Sequence, residues 1–207
     1  MLYLASQSPR RQSILSDLKV NYSLLLPTKD ENAEALEVAL KDEPGKEYVL
    51  RVTLLKLEAA IKRLQNQQLN WHPILCADTT VSIHLEGQDI ILGKPQDNLD
   101  ALHMLKLLNN QCHEVHTAIA LQISPNQDPI FRISSSKVYF ANNEESKLNA
   151  YVATQEPLGK AGSYAIQGIG STLIEKIEGS HSGIMGLPIF ETSQLLEIAK
   201  IPYILYP

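Results

Sequence analysis

The sequence predicts an α/β fold built on a mixed, twisted sheet with flanking helices. Three observations predict it. Short apolar runs alternate with helical patterns along the 207-residue chain. Residues 115–123 and 131–140 are β-branched, alternating stretches joined by Ser124-Pro125-Asn126-Gln127-Asp128-Pro129, a hairpin connection that makes one strand pair antiparallel. No internal repeat or low-complexity segment divides the chain, and the turns at Gly87 and Asn126 are loop tips rather than linkers. The length therefore suits one large domain or two small lobes.

The elements follow in order. Residues 2–5, Leu-Tyr-Leu-Ala, read as a short buried strand. Ser6, Gln7 and Ser8 interrupt it. Pro9 suits the first turn of a helix over 9–18, with Ser8 as N-cap. Arg10 and Arg11 fall in that first turn, where the helix dipole prefers anions. Two hydroxyls, free N–H groups and two guanidiniums at a strand-to-helix turn suit a phosphate ligand, although two solvated arginines account for the same residues. A second strand spans 20–26, with Leu24, Leu25 and Leu26 continuous, and Pro27 ends it. A polar, acidic stretch over 29–34 holds Glu31, and Pro44-Gly45 interrupts the helical signal that follows. Over 46–66, Val49, Val52, Leu55, Ala59 and Leu64 recur at helical spacing, with Lys56 one position off that register.

Residues 73–77 form a short apolar strand that runs into Asp78-Thr79-Thr80, and 81–85 read as another strand. Gly87 turns the chain into 90–92, which Gly93-Lys94-Pro95 closes. A helix spans 99–108 with Leu102, Leu105 and Leu108 as its stripe. After the hairpin, Asn142 or Asn143 caps a helix running to Ala153. A glycine-rich section (Gly159, Gly162, Gly168, Gly170) precedes a strand over 172–177, a loop over 179–186, a final helix over 188–199 and a packed tail over 201–207.

Hydrophobic content of 44% and charged content of 20% are ordinary globular values. A net charge of -5 argues against a nucleic-acid polymer as partner but leaves room for a small anion at a local basic cluster. Cys76 and Cys112 form no CxxC pair and read as buried free thiols of a reducing compartment. No run of about 18 apolar residues suggests a membrane span. A strand this close to the first residue leaves no room for a signal peptide, so the expected location is the cytoplasm.

Chemistry could sit at several places. Asp78 stands where a buried strand ends, the place where ligands collect in open α/β sheets, though a turn or cap carboxylate fits there too. Lys94 is fixed between Gly93 and Pro95, and Glu31 lies in an acidic loop. In Lys160-Ala161-Gly162-Ser163-Tyr164-Ala165-Ile166-Gln167-Gly168, glycines flank a lone amide and permit close backbone approach. This run matches neither GxGxxG nor the Walker loop. His113 and His116, three apart on a strand, point to opposite faces and cannot share a metal. No zinc spacing and no GxSxG elbow occurs. Taken together, the cations suit a polyphosphate, the carboxylates suit Mg²⁺ and a water, and the amide suits a base, as in metal-assisted phosphoanhydride chemistry.

Ser6-Gln7-Ser8-Pro9-Arg10-Arg11, Ala77-Asp78-Thr79, Leu92-Gly93-Lys94-Pro95, the run from Lys160 to Gly168 and Gly186-Leu187-Pro188 occur in this order. In these the chain resembles the Maf family of nucleoside triphosphate pyrophosphatases, from Leu2 to about Leu196. The resemblance implies a single Maf-like domain over 1–207, with two lobes around a central cleft, of the Maf/inosine-triphosphatase type. It implies hydrolysis between the α and β phosphates, giving the monophosphate and pyrophosphate. It also implies a divalent cation, Mg²⁺ by preference with Mn²⁺ or Co²⁺ as alternatives, and a homodimer. By the same resemblance Ser6, Ser8, Arg10, Arg11, Lys56 and Lys94 contact the triphosphate. Asp78 is the catalytic proton acceptor, Glu31 its metal-binding partner, and Gln167 faces the base.

A branch of the family that prefers 7-methyl-GTP carries Trp, Gln and Glu where this chain has Arg10, Thr79 and Gln167. The chain thus resembles the dTTP/UTP branch, which implies house-cleaning of pyrimidine nucleotides, modified ones included. The Gln167 amide offers a donor and an acceptor that can pair with the O4/N3–H edge of uracil or thymine. Thr80, His181 and Gly183 depart from the usual family residues, and the segment over 32–46 is longer than usual. The alternative reading is a nucleotide-binding regulator of septum formation with little catalysis, since the family has been tied to septum inhibition.

Overall fold

The computed structural model describes residues 1–28, 31 and 33–206, with backbone alone at 33 and 34. Lys29, Asp30 and Asn32 of the acidic stretch, and Pro207 of the tail, lie outside the described residues.

The longest strand, β3 (Ile74–Leu85), organises the sheet. Its apolar and β-branched residues favour an extended backbone. Every residue from Ile74 to Ser82 pairs antiparallel with β5 (Cys112–Gln122). The two strands expected over 73–77 and 81–85 are therefore one. Asp78 sits within it, opposite Ala118, and not at its end. β5 continues through the expected hairpin into β6 (Ile130–Phe140), which pairs with β7 (Ile174–Glu178). The segment predicted as a strand over 172–177 starts instead with a 3-10 turn at Ile169–Leu173.

The other edge of β3 is shared. β1 (Leu2–Leu4) runs parallel to it only as far as Leu4 opposite Leu75. β4 (Gln88–Leu92) pairs antiparallel from Val81 onward, after a two-residue turn whose Glu86 and Gly87 both have positive φ. Residues 76–80 thus face β5 on one side and, among the described residues, no strand on the other. β2 (Tyr22–Leu24) pairs parallel with β1, giving the order β2-β1-β3-β5-β6-β7. The mixed α/β sheet agrees with the expected fold class. β2 is shorter than the strand expected over 20–26, because it is the sheet's edge and leaves Leu24 and Leu26 exposed.

Alternation along β3 assigns its two faces. Cys76 packs with Leu57, Ala60 and Leu64 of α2 (Gly45–Asn66). Ala77, pointing the other way, packs with Ile14 and Leu15 of α1 (Pro9–Asp17) and with Leu195 and Leu196 of α6 (Ile189–Ile198). Val81 and Ile83 continue that second face into a separate cluster with α3 (Asn98–Leu108) and α4 (Glu145–Ala153). The segment expected as a loop over 179–186 contains a short helix, α5 (His181–Met185). Ser180 caps its start, and Gly186 at φ 112 ends it. Of the two cysteines Cys76 is buried, but Cys112, the first residue of β5, is exposed, contrary to expectation. In the tail Ile201 and Tyr203 are buried while Ile204 and Leu205 are exposed.

Candidate active site

Where β1 leaves the sheet, the chain turns through Ser6 and Ser8 into α1. Ser6 Oγ accepts the Ser8 N–H (3.3 Å), and Ser8 Oγ accepts the Arg11 N–H (3.5 Å), the cap that the sequence predicts. The Arg11 guanidinium donates to Ser6 Oγ (3.1 Å), Thr79 Oγ1 (3.1 Å) and the Gly186 carbonyl (2.7 Å). Arg10 Nε donates to the Met185 carbonyl (3.2 Å). Thr79 in turn shares a hydrogen bond with Thr117 (2.9 Å), which donates to the Gly183 carbonyl (2.7 Å). The segment over 179–186 thus fixes both arginines. Burial lowers the pKa of each, and for Arg11 the neighbouring Arg10 charge adds to that while Asp78 opposes it. Every hydrogen-bond acceptor described for the two guanidiniums is neutral. Partly buried cations held this way favour an incoming anion.

Asp78 is 8% exposed and points to the opposite face, toward α2. Lys56 Nζ lies 2.5 Å from Asp78 Oδ1 and 2.7 Å from Glu37 Oε1, and Lys94 Nζ lies 3.0 Å from Glu37 Oε2. Tyr48 donates to the Glu37 carbonyl (2.8 Å), tying the 3-10 segment Ala33–Glu37 to α2. Burial pushes the Glu37 carboxyl up, but Lys56 and Lys94 outweigh it and hold the group below its usual range. Burial, with Asp78 and Glu37, pushes the Tyr48 phenol up to about 12.

Glu31 stands elsewhere on the wall. Arg63 grips it from Nη2 (2.5 Å) and Nε (2.9 and 3.1 Å), and Thr28 donates to it as well. The Arg63 hydrogen bond, foremost, lowers the Glu31 pKa. The carboxylate that shares Lys56 with Asp78 is accordingly Glu37, not Glu31.

The third wall carries Gln167, exposed at the cavity rim, and half-buried Lys160. Gly162 (φ 66) anchors this wall: its N–H donates to the Gly93 carbonyl (3.1 Å), and a Cβ there would lie 2.8 Å from Val81 Cγ2. His113 and His116 do face opposite ways. His113 bonds the Tyr164 hydroxyl (2.8 Å) behind the wall, and His116 bonds Ser135 (2.8 Å) beside α2.

One cavity of about 1090 Å³ joins the three walls. Ser6, Ser8, Arg10, Arg11, Glu31, Lys56, Asp78, Thr79, Lys94 and Gln167, all named from the sequence, line it. Its described lining holds six cations, with Arg63 and Lys160 added, against three carboxylates. An acidic protein thus encloses a cationic chamber, the electrostatic form of a site for a highly charged anion.

The family model of the Maf-like protein matches residues 1–199. The chain belongs to the Maf family. It is 50% identical over 203 residues to the dTTP/UTP pyrophosphatase of Burkholderia orbicola, covering 98% of this chain and 95% of that one. It is 48% identical over 196 residues to the dTTP/UTP pyrophosphatase of Albidiferax ferrireducens, covering 95% of each. The dTTP/UTP pyrophosphatase of Cupriavidus pinatubonensis is 47% identical over 202 residues, covering 98% of each. Among solved structures, the Ham1 protein of Staphylococcus aureus aligns over 84% of this chain and 79% of its own, at 13% identity and a TM-score of 0.44.

Sequence reading of this Maf chain missed Glu37, Arg63 and Lys160. Arg63 had a signal. Thr53, Lys56, Ala60 and Arg63 are spaced by three and four, so they share the inward stripe of α2, and Lys56 is on that stripe rather than off it. Leu55 and Ala59, chosen from the sequence, are only half-buried. Lys160 lay inside the glycine-flanked run without an assigned role. Glu37 had no local signal, because a short 3-10 turn delivers it from a polar stretch.

Proposed function

We propose that this Maf-family chain is a nucleoside triphosphate pyrophosphatase acting on dTTP and UTP, releasing the nucleoside monophosphate and pyrophosphate in house-cleaning of pyrimidine nucleotides. Asp78 carries the reading: a buried carboxylate at the gap in the sheet, on the wall of a cationic chamber and 2.5 Å from a lysine. The full-length relatives named dTTP/UTP pyrophosphatase support it.

In the free protein Lys56 neutralises Asp78. A triphosphate entering the chamber takes over Lys56 and Lys94 and is gripped by Arg10 and Arg11 at the start of α1, beside Ser6 and Ser8. Asp78 Oδ1, released from Lys56, accepts the proton of a water that attacks the α phosphorus. The cations neutralise the charge growing on the leaving pyrophosphate. Gln167 pairs with the O4/N3–H edge of the base.

Asp78 and Glu37 flank Lys56 and supply hard oxygen donors. No cluster of three His, Cys, Asp or Glu groups that could hold a metal stands among the described residues, and Mg²⁺ needs none, since it binds through one or two carboxylates plus substrate phosphates. Asp78 and Glu37 are the residues that would hold it, with Mn²⁺ or Co²⁺ as alternatives; Glu31, the partner that the resemblance implies, is bound by Arg63 instead. When bound, the cation supplies charge neutralisation at the phosphates. No described helix is long and apolar enough to cross a membrane. We place the protein in the cytoplasm, as a homodimer, without a nucleic-acid polymer as partner.

A panel of nucleoside triphosphates assayed for pyrophosphate release, with and without Mg²⁺, tests the proposal. dTTP and UTP are expected to be preferred, with metal required. Preference for a purine triphosphate contradicts the specificity. Tight dTTP binding without turnover in any metal points to the regulatory alternative.

A further inference from the structure

Gln167 belongs to a segment, 164–168, that joins no strand, so its backbone groups are satisfied elsewhere. Within it the Gly168 N–H donates to the Ala165 carbonyl (3.2 Å), and one carboxylate holds the chain just beyond it. Glu156, three residues past α4, accepts the Gly170 N–H (2.8 Å) and the Tyr151 hydroxyl (2.9 Å) at Oε1 and the Ile169 N–H (3.0 Å) at Oε2. The Tyr151 hydroxyl in turn accepts the Ala165 N–H (3.3 Å). The backbone is thereby held on both sides of Gln167, directly by Glu156 at 169–170 and through the Tyr151 hydroxyl at 165. The Glu156 carbonyl also accepts the Lys160 ammonium. The fit is close: a Cβ at Gly168 would stand 2.3 Å from Glu156 Oε2. Burial pushes the Glu156 carboxyl up, but the Gly170 and Ile169 N–H groups outweigh it and keep the group anionic. Glu156 does not line the chamber.

We propose that Glu156 is a positioning residue that sets nucleobase selectivity by holding the Gln167 segment. An amide separates thymine or uracil from cytosine only while its oxygen and nitrogen keep their places, since a turned amide offers the complementary pattern. The inference rests on the reading that Gln167 faces the base.

The test compares Glu156→Gln, Gln167→Ala and the double variant with wild type. It reads kcat and KM for dTTP and dCTP, amide exchange over 165–170, and inhibition by inorganic tripolyphosphate. Glu156→Gln keeps the shape but turns one acceptor toward an N–H as a donor. Its preference for dTTP is expected to fall on the order of tenfold, through KM, with kcat little changed. Protection at Ile169 and Gly170 falls, tripolyphosphate inhibition is unchanged, and the double variant is no less selective than Gln167→Ala. Selectivity lost in Gln167→Ala but kept in Glu156→Gln overturns the inference and leaves the base reading standing. So does a parallel loss of kcat and tripolyphosphate inhibition, which marks a merely structural role. Unchanged selectivity in Gln167→Ala removes the base reading itself, and the inference with it. Should Glu156→Gln fail to fold, Tyr151→Phe removes the link to Ala165 with the hydroxyl's own bond to Glu156 and leaves the Ile169 and Gly170 contacts in place. A smaller loss in the same direction then supports the inference, and wild-type selectivity overturns it.

Discussion

Asp78 is the residue on which the chemistry turns, and its environment sets the expected consequence of changing it. Asp78→Asn keeps the size and a hydrogen bond to Lys56 but removes the proton acceptor. Turnover of dTTP should fall about a hundredfold or more, the scale of a lost general base. Substrate binding should hold or tighten, because Lys56 then pairs with one carboxylate, Glu37, instead of two. Steady-state kinetics with a binding isotherm for a non-hydrolysable dTTP analogue separate the two effects. Near-normal turnover in that variant removes Asp78 from the proton transfer. At this scale the sequence was informative about residue types and less so about pairings. Ten candidates, named from local patterns and from the family resemblance, meet in one chamber. Which carboxylate pairs with which cation depends on contacts such as Lys56 with Glu37, 19 positions apart, and Arg63 with Glu31, 32 apart. No local pattern encodes such pairings.

Two elements convert sequence into site. β3 places Asp78 and Thr79 side by side at the gap between β1 and β4, and alternation sends them to opposite faces. Asp78 meets α2, and Thr79 meets Arg11. The sequence read a break at Asp78 because a charged residue interrupts an apolar run. The ladder with β5 overrides that break, since the backbone bonds continue whatever the side chain is. α5 is the second element. Ser180 Oγ accepts the Gly183 N–H (3.0 Å), and the carbonyls at Met185 and Gly186 that end the helix hold Arg10 and Arg11. Ser180→Ala should cost about 1 kcal/mol of stability, the usual value of such a cap. It should also raise KM for dTTP with little change in kcat, since the arginines bind rather than react. Thermal unfolding and steady-state kinetics read both, and an unchanged KM would detach α5 from substrate binding.

At the scale of the whole molecule, mixed sheet, hairpin and main helices were legible because each follows from apolar periodicity and turn residues. Strand ends and the edge exposure of Leu24 and Leu26 were not, because neighbours decide them. His113, 1% exposed between Phe140 and Tyr164, gives the fold a pH signature. Burial pushes its pKa from 6.5 down to about 3, and burial also lowers that of His116. The unfolded chain takes up these protons below pH 6.5 while the folded one does not, so stability falls as pH drops below that value. His113 contributes about 1.4 kcal/mol per pH unit, less near 6.5, and His116 adds in the same direction. The depressed carboxylates Glu31 and Glu37 act in the same direction but only below their usual 4.5. Denaturant unfolding between neutrality and about pH 5 thus isolates the histidines. His113→Phe should flatten the slope while lowering stability at neutral pH, since it strands the Tyr164 hydroxyl. An unchanged slope would show that His113 does not titrate in this range.

The central claim is attack at the α phosphorus of a pyrimidine triphosphate within the chamber between β1, β3 and the Gln167 wall. Hydrolysis of dTTP in water enriched in oxygen-18, followed by mass spectrometry of both products, tests it most directly. The account predicts the label in dTMP and unlabelled pyrophosphate. Label in pyrophosphate, or in inorganic phosphate released with dTDP, would contradict it.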